Sequence, residues 1–214
     1  MISGLYLVFI LIALVIIISI VWRFASRRHA IPCPVWMSGL LDLPFSRRTR
    51  ARTRTTLQRL DVKPGMKVLD AGCGPGRLTL PLAGHAGPHG EVTAIDLQEG
   101  MLSKAQERAR KANLTTIRFL RAGLGAGMLE HNYFDRAVMV TVLGEIPDRD
   151  AALRELFDAL KPGGILLVEE TIRDPHFQSH GTVRSLAGAA GFREKDFFGN
   201  RFSYTLLLEK PSRE

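Results

Sequence analysis

Apolar positions follow two regimes along this chain. From Leu5 to Trp22 nearly every residue is Leu, Ile, Val, Phe or Ala, and residues 1–22 hold no charged side chain. About 20 such residues, at about 1.5 Å each, span the ~30 Å hydrocarbon layer, so this stretch predicts one transmembrane helix. A cleaved signal peptide is the competing reading. Against it stand the missing basic n-region and the lack of a small-residue cleavage site before Arg23. Beyond residue 55, short β-former runs alternate with stretches of helical spacing. Strands are expected at 66–71, 91–96, 116–120, 136–142 and 165–170, and helices at 76–84, 99–112, 149–160 and 179–190. The second helix is the best marked, with Met101, Leu102, Ala105, Ala109 and Ala112 recurring among charged residues. This alternation implies a parallel sheet with helices on both faces. Phe192-Arg193 and Phe202–Leu208, with Gly199-Asn200 between them, predict a closing antiparallel hairpin.

The first strand runs into Asp70-Ala71-Gly72-Cys73-Gly74-Pro75-Gly76, and a helix follows. Glycines there permit positive φ and let the main chain approach a ligand where a Cβ would collide. Strand, glycine turn and helix N-terminus together make a cradle for a nucleoside-type cofactor. The alternative is a tight turn with no ligand. Twenty residues beyond Gly76, the second strand ends in Asp96, placed to accept hydrogen bonds from ribose hydroxyls. The spacing is G-x-G-x-G, which differs from the G-x-G-x-x-G of dinucleotide binders and argues against a nicotinamide oxidoreductase. Leu160-Lys161-Pro162-Gly163-Gly164 supplies a helix end and a turn before another apolar strand.

In these features, together with Phe134-Asp135 and Ile146-Pro147-Asp148 in the same order, the chain resembles the class I S-adenosylmethionine-dependent methyltransferases over residues 55–209. The resemblance implies a Rossmann-like α/β methyltransferase fold: a mostly parallel seven-stranded sheet with an antiparallel C-terminal strand, here preceded by one transmembrane helix. It also implies S-adenosylmethionine as cofactor. Gly72, Cys73, Gly74 and Gly76 would approach its methionine and ribose, and Asp70 would hold the loop or the cofactor amino group. Asp96 would bind both ribose hydroxyls, Leu97 would pack on adenine, and Thr141 would lie on the same rim. The family commonly has Gly-Asp-Ala after the third strand. Here Arg121-Ala122-Gly123-Leu124-Gly125 offers no carboxylate, so main-chain groups of Gly123 and Leu124 are the expected adenine contacts.

Methyl transfer needs alignment above all, with a general base only where the acceptor carries a proton to lose. Glu145 after the fourth strand and His176 after the fifth are the candidate catalytic groups; an exposed acid near a helix start and a loop histidine are their plainer readings. His180 is a further candidate on the acceptor side, and Asp148 reads as a helix N-cap. No Cys/His cluster has metal-ligand spacing, so no metal is expected.

Charge divides the chain further. The formal net charge is +8, and residues 23–60 hold nine Arg against the single acid Asp42. The chain therefore divides into an anchor (1–22), a basic and apolar linker (23–54) and a methyltransferase domain (55–214). Arg23, Arg27 and Arg28 follow the span, which puts the domain on the cytoplasmic face of a single-pass membrane protein. Residues 31–45 read either as a linker packed on the domain or as an interfacial segment. The arginine run from Arg47 to Arg54 has no interleaved aromatic residues for base stacking, so it fits anionic headgroups and no nucleic acid is expected. Cys33 and Cys73 are too few for a disulfide framework. The expected activity is methylation of a small lipophilic acceptor: a quinone precursor, phospholipid or thiol. A soluble small molecule, RNA or protein as acceptor, or a non-catalytic cofactor-binding module, are the alternatives.

Overall fold

The computed structural model describes residues 6, 8–14, 17, 18, 20, 21 and 47–212. Among the described residues no helix is long and apolar enough to cross a membrane. The expected span over 1–22 lies partly outside them, as does the expected linker over 23–54 up to residue 46; its remainder, 47–54, is helical.

Seven strands form one sheet: β1 (Lys67–Ala71), β2 (Glu91–Asp96), β3 (Ile117–Arg121), β4 (Phe134–Val140), β5 (Leu160–Thr171), β6 (Arg193–Asn200) and β7 (Ser203–Glu209). Their order is β3-β2-β1-β4-β5-β7-β6. The first five pair in parallel, and β7 runs antiparallel between β5 and β6. Five helices connect or cover them: α1 (Arg47–Leu60), α2 (Thr79–Ala86), α3 (Glu99–Lys111), α4 (Arg149–Ala159) and α5 (His180–Ala190).

The central strands are apolar over most of their length because helices cover both faces. On one face Leu69, Ile95, Met139, Leu166 and Val168 pack with Leu153 and Leu156 of α4 and Val183 of α5. On the other, Val68, Val92, Val138 and Leu167 meet Leu82 of α2 and Leu57 and Leu60 of α1. Neighbouring strand residues thus serve opposite cores, as the two-residue repeat of a strand requires.

Helix α1 lies where only an arginine-rich run was apparent. The buried Glu169 of β5 accepts from Thr56 Oγ1 (2.8 Å) and pairs with Arg52 Nη2 (3.0 Å). At the other end Arg136 Nε, near the start of β4, donates to the Leu60 carbonyl at 3.0 Å. The helix therefore runs opposite to the parallel strands, entering at their carboxyl rim.

Several boundaries shift for identifiable reasons. Helix α2 starts at Thr79, not 76, because Gly76 sits at φ +86, outside helical space. Strand β4 ends at Val140 because Thr141 takes φ +54 and a 3₁₀ turn, Leu143–Glu145, follows. The Lys161–Gly164 turn is absorbed into β5, whose register with β4 jumps from Phe134↔Leu160 to Arg136↔Ile165. Strand β6 extends through eight residues, so the hairpin turns after Asn200.

Candidate functional site

The carboxyl ends of β1, β2, β4 and β5 share one rim, where open α/β sheets bind ligands. At its centre the Asp96 carboxylate spans two turns: Oδ2 accepts from Gly74 N at 2.9 Å and Oδ1 from Gln98 N at 2.8 Å. Burial raises its pKa, and the two N–H donors oppose that rise. Gly72 N and Cys73 N each donate to the Ile95 carbonyl, at 2.9 and 3.0 Å, so the turn is tied to β2 at several points.

The glycines of this turn differ in what they do. A Cβ on Gly72 would collide with the Val142 side chain, and one on Gly76 would crowd Ala105 of α3. Those two make room for protein. Gly74 sits at φ +52, and a Cβ on it would meet open space. Of the three, Gly74 alone has no atom near an added Cβ.

Asp70 is 3% exposed and accepts from Thr79 Oγ1 at 2.6 Å, which ties the end of β1 to the start of α2. Burial pushes its pKa up to about 6, against the pull of that hydrogen bond. Cys73 is buried beside it, and burial pushes its thiol pKa up, so the side chain packs as a neutral group. Leu97 is 61% exposed, and a Cβ on Gly123 would lie 3.8 Å from Leu97 Cδ1. The end of β2 and the loop after β3, which carries Gly123 and Leu124, are thus adjacent. Thr141 N donates to the Glu169 carbonyl at 2.9 Å, which holds the strained end of β4 against β5.

Glu145 and His176, 31 positions apart, are brought together: His176 Nδ1 lies 3.8 Å from Glu145 Oε1 and 3.8 Å from Asp174 Oδ1. Gly144 permits this approach, since a Cβ there would strike the His176 backbone carbonyl. His176 is 5% exposed, and neither ring nitrogen has a hydrogen-bond partner. Two further buried groups, Glu170 and Tyr204, lie near this pair. Glu170 accepts from Gln178 N at 3.2 Å, its Oε1 is unpartnered, and burial raises its pKa to about 8. Tyr204 of β7 donates to the Gln178 carbonyl at 2.8 Å. The signal available for Glu170 was its place one residue from Glu169, which strand alternation sends to the opposite face.

His180 is drawn instead to the sheet edge, 3.4 Å from Glu194 Oε2 and 4.4 Å from the Phe197 ring centroid. Asp148 caps α4, accepting from Ala151 N at 2.8 Å. Among the described residues no group of three or more His, Cys, Asp or Glu could hold a metal ion.

A family profile described as "Methyltransferase domain" matches residues 62–190. The chain is 36% identical over 124 residues to the ubiquinone/menaquinone biosynthesis C-methyltransferase UbiE of Shewanella woodyi, covering 58% of this chain and 49% of that protein. It is 33% identical over 124 residues to the demethylmenaquinone methyltransferase of Bacillus cytotoxicus, covering 58% and 52%. The chain thus spans about half the length of these curated relatives. Among solved structures, it superposes on a SAM dependent methyltransferase from Aquifex aeolicus with a TM-score of 0.75 at 24% identity, covering 83% of this chain and 99% of that one. The [4+2]-cyclase SpnF gives a TM-score of 0.69 at 21% identity, covering 77% and 81%. At these identities the likeness is one of fold, and one such fold hosts more than one chemistry.

Proposed function

We propose, from the premise that this chain belongs to the methyltransferase-domain family, that it binds S-adenosylmethionine and methylates a small lipophilic acceptor at a membrane. The observation that carries the reading is the Asp96 clamp: a carboxylate held by Gly74 N and Gln98 N, beside a glycine whose missing side chain leaves open space. One face of that carboxylate fits two vicinal hydroxyls of a ribose. Gly72, Cys73, Gly74 and Gly76 would border the methionine portion, with Asp70 holding the loop. Leu97, Gly123 and Leu124 would flank the adenine, with Thr141 beside the cofactor. The fold shared with the Aquifex aeolicus methyltransferase supports this cofactor.

S-adenosylmethionine supplies a methyl group on a sulfonium, already activated for in-line displacement. The chain's task is then to orient the acceptor and exclude water. Glu145 and His176 lie together on the β4–β5 side of the rim, where His176 would take the proton of a phenol-type acceptor and Glu145 would orient the ring. The names of the curated relatives favour a quinone-type acceptor. The uncharged run 1–22 followed by Arg23, Arg27 and Arg28 supports a membrane anchor, with the domain on the cytoplasmic side.

Calorimetry with S-adenosylmethionine and with NAD tests the cofactor. Binding of the former alone is expected. Asp96→Ala should weaken it by roughly 10- to 100-fold, since hydrogen bonds to a charged group contribute about 1.5–3 kcal/mol. Tight NAD binding with no S-adenosylmethionine binding would end the reading. Transfer of labelled methyl to a total lipid extract tests the acceptor class. A second reading, cofactor binding without transfer, is favoured by one departure: no carboxylate follows β3 where Gly123 stands. Binding without labelled product in any extract would select it.

A further inference from the structure

Three exposed apolar side chains gather at the carboxyl rim, beside the candidate site and unused by it. Ile172 is 43%, Phe198 37% and Phe202 46% exposed. Ile172 N donates to the Phe202 carbonyl at 2.7 Å, and Ser203 pairs with both Thr171 and Asn200, so the end of β5 and the tip of the β6–β7 hairpin form one surface. Asn200 Oδ1 fixes the tip by accepting from Phe202 N (2.9 Å) and Ser203 N (3.2 Å). Arginines collar these rings: Arg201 lies 4.5 Å from the Phe202 centroid and Arg59 4.5 Å from that of Phe198. Arg173 and Arg54 are exposed nearby in sequence and on α1. No acid occurs from Phe197 to Ser203, and of the acids nearest the hairpin tip Glu169 is paired with Arg52 and Asp174 accepts from His176 N at 2.7 Å, while Glu145 and Glu170 belong to the candidate site.

Aromatic and aliphatic side chains ringed by guanidinium groups suit the boundary between phosphate headgroups and acyl chains. Helix α1 enters on this rim and itself carries the arginine run Arg47–Arg54, and the apolar run 1–22 lies earlier in the chain. We infer that the hairpin tip, with Ile172, is a second membrane contact that seats the mouth of the candidate site on an anionic bilayer. The inference rests on the membrane reading above. The arginine collar, with the arginines that α1 carries onto the same rim, favours lipid over a protein partner.

The test uses the full chain carrying Cys33→Ser and Phe202→Cys, labelled with an environment-sensitive fluorophore; Cys73 is buried and does not react. The protein is reconstituted with phosphatidylcholine vesicles with and without phosphatidylglycerol. A blue shift quenched by spin-labelled lipid is expected at position 202, larger with phosphatidylglycerol and reduced by Arg201→Glu. The same label at His131→Cys, exposed near the opposite rim, should not respond. Identical, lipid-insensitive emission at both positions overturns the inference. Resistance to alkaline carbonate reads the anchor separately. Protein that resists extraction while position 202 stays silent keeps the anchor and loses the tip; protein that washes off while 202 responds does the reverse. A 202 probe shielded without lipid, in a cross-linked dimer, assigns the tip to a second copy and likewise overturns the inference.

Discussion

Asp70 and Glu170 couple the stability of this chain to pH in one direction. An acid whose folded-state pKa is raised keeps its proton in the native state where the unfolded chain has lost it. Folding then binds protons, and stability falls as pH rises through the interval. That interval runs from 3.8 to about 6 for Asp70 and from 4.5 to about 8 for Glu170, both through burial. Glu170→Gln keeps the shape of the neutral acid and removes its titration. Unfolding free energies of the variant and parent should diverge in the variant's favour from about pH 5 to pH 8, by on the order of a few kcal/mol at most, as read by urea unfolding across that range. Parallel pH profiles would sink this. Thr79→Val takes away the donor to the buried Asp70 carboxylate and should cost about 1–3 kcal/mol in urea unfolding. Asp70 and Asp96 were legible in the sequence because their setting is local: a strand end beside a glycine turn. Glu170, at the end of the fifth expected strand, falls on the same rim; Tyr204 was not legible, because it reaches Glu170 only after β7 folds back against β5.

Short elements decide how the two halves of the rim approach each other. The 3₁₀ turn Leu143–Glu145 lies against the loop after β5, and Gly144 is its contact point with His176. Gly144→Ala should push the turn away, costing about 1–3 kcal/mol of stability. Turnover should drop while S-adenosylmethionine affinity stays near the parent value; an unchanged rate with an intact fold would argue against a catalytic role for the Glu145–His176 pair. Helix α1 was the element the pattern hid. Its inward face is only Thr56, Leu57 and Leu60, and its anchoring partner is an acid 113 positions away. Nothing in a run of arginines announces that contact. Glu169→Ala removes the acceptor of Thr56 and Arg52, and should expose α1 to proteolysis ahead of the sheet. The helix starts and strand ends that shifted did so at Gly76 and Thr141, where positive φ overrides the apolar pattern.

For the molecule as a whole, alternating strands and helices sufficed to foretell a parallel sheet, since each βα unit must cover a face, while the antiparallel closure came from the Gly199-Asn200 turn and the family resemblance. The extent of β6 was not foreseeable, because all eight of its residues are exposed and carry no apolar alternation. If the arm before α1 serves access to a membrane-borne acceptor, deleting residues 1–45 should leave cofactor binding and melting temperature near those of the full chain. Methylation of an acceptor embedded in vesicles should fall at least tenfold, while a water-soluble analogue is turned over at the parent rate. Equal loss on both acceptors would mean that the arm supports the fold.

Strand β7 is made last yet is threaded between β5 and β6. While it is being synthesised, the five parallel strands can pair, but β6 has no neighbour to join until Glu209 has left the ribosome. A premature stop after Asn200 would therefore strip two strands from the sheet, leaving the outer flank of β5 bare and prone to pairing with whatever extended chain it meets.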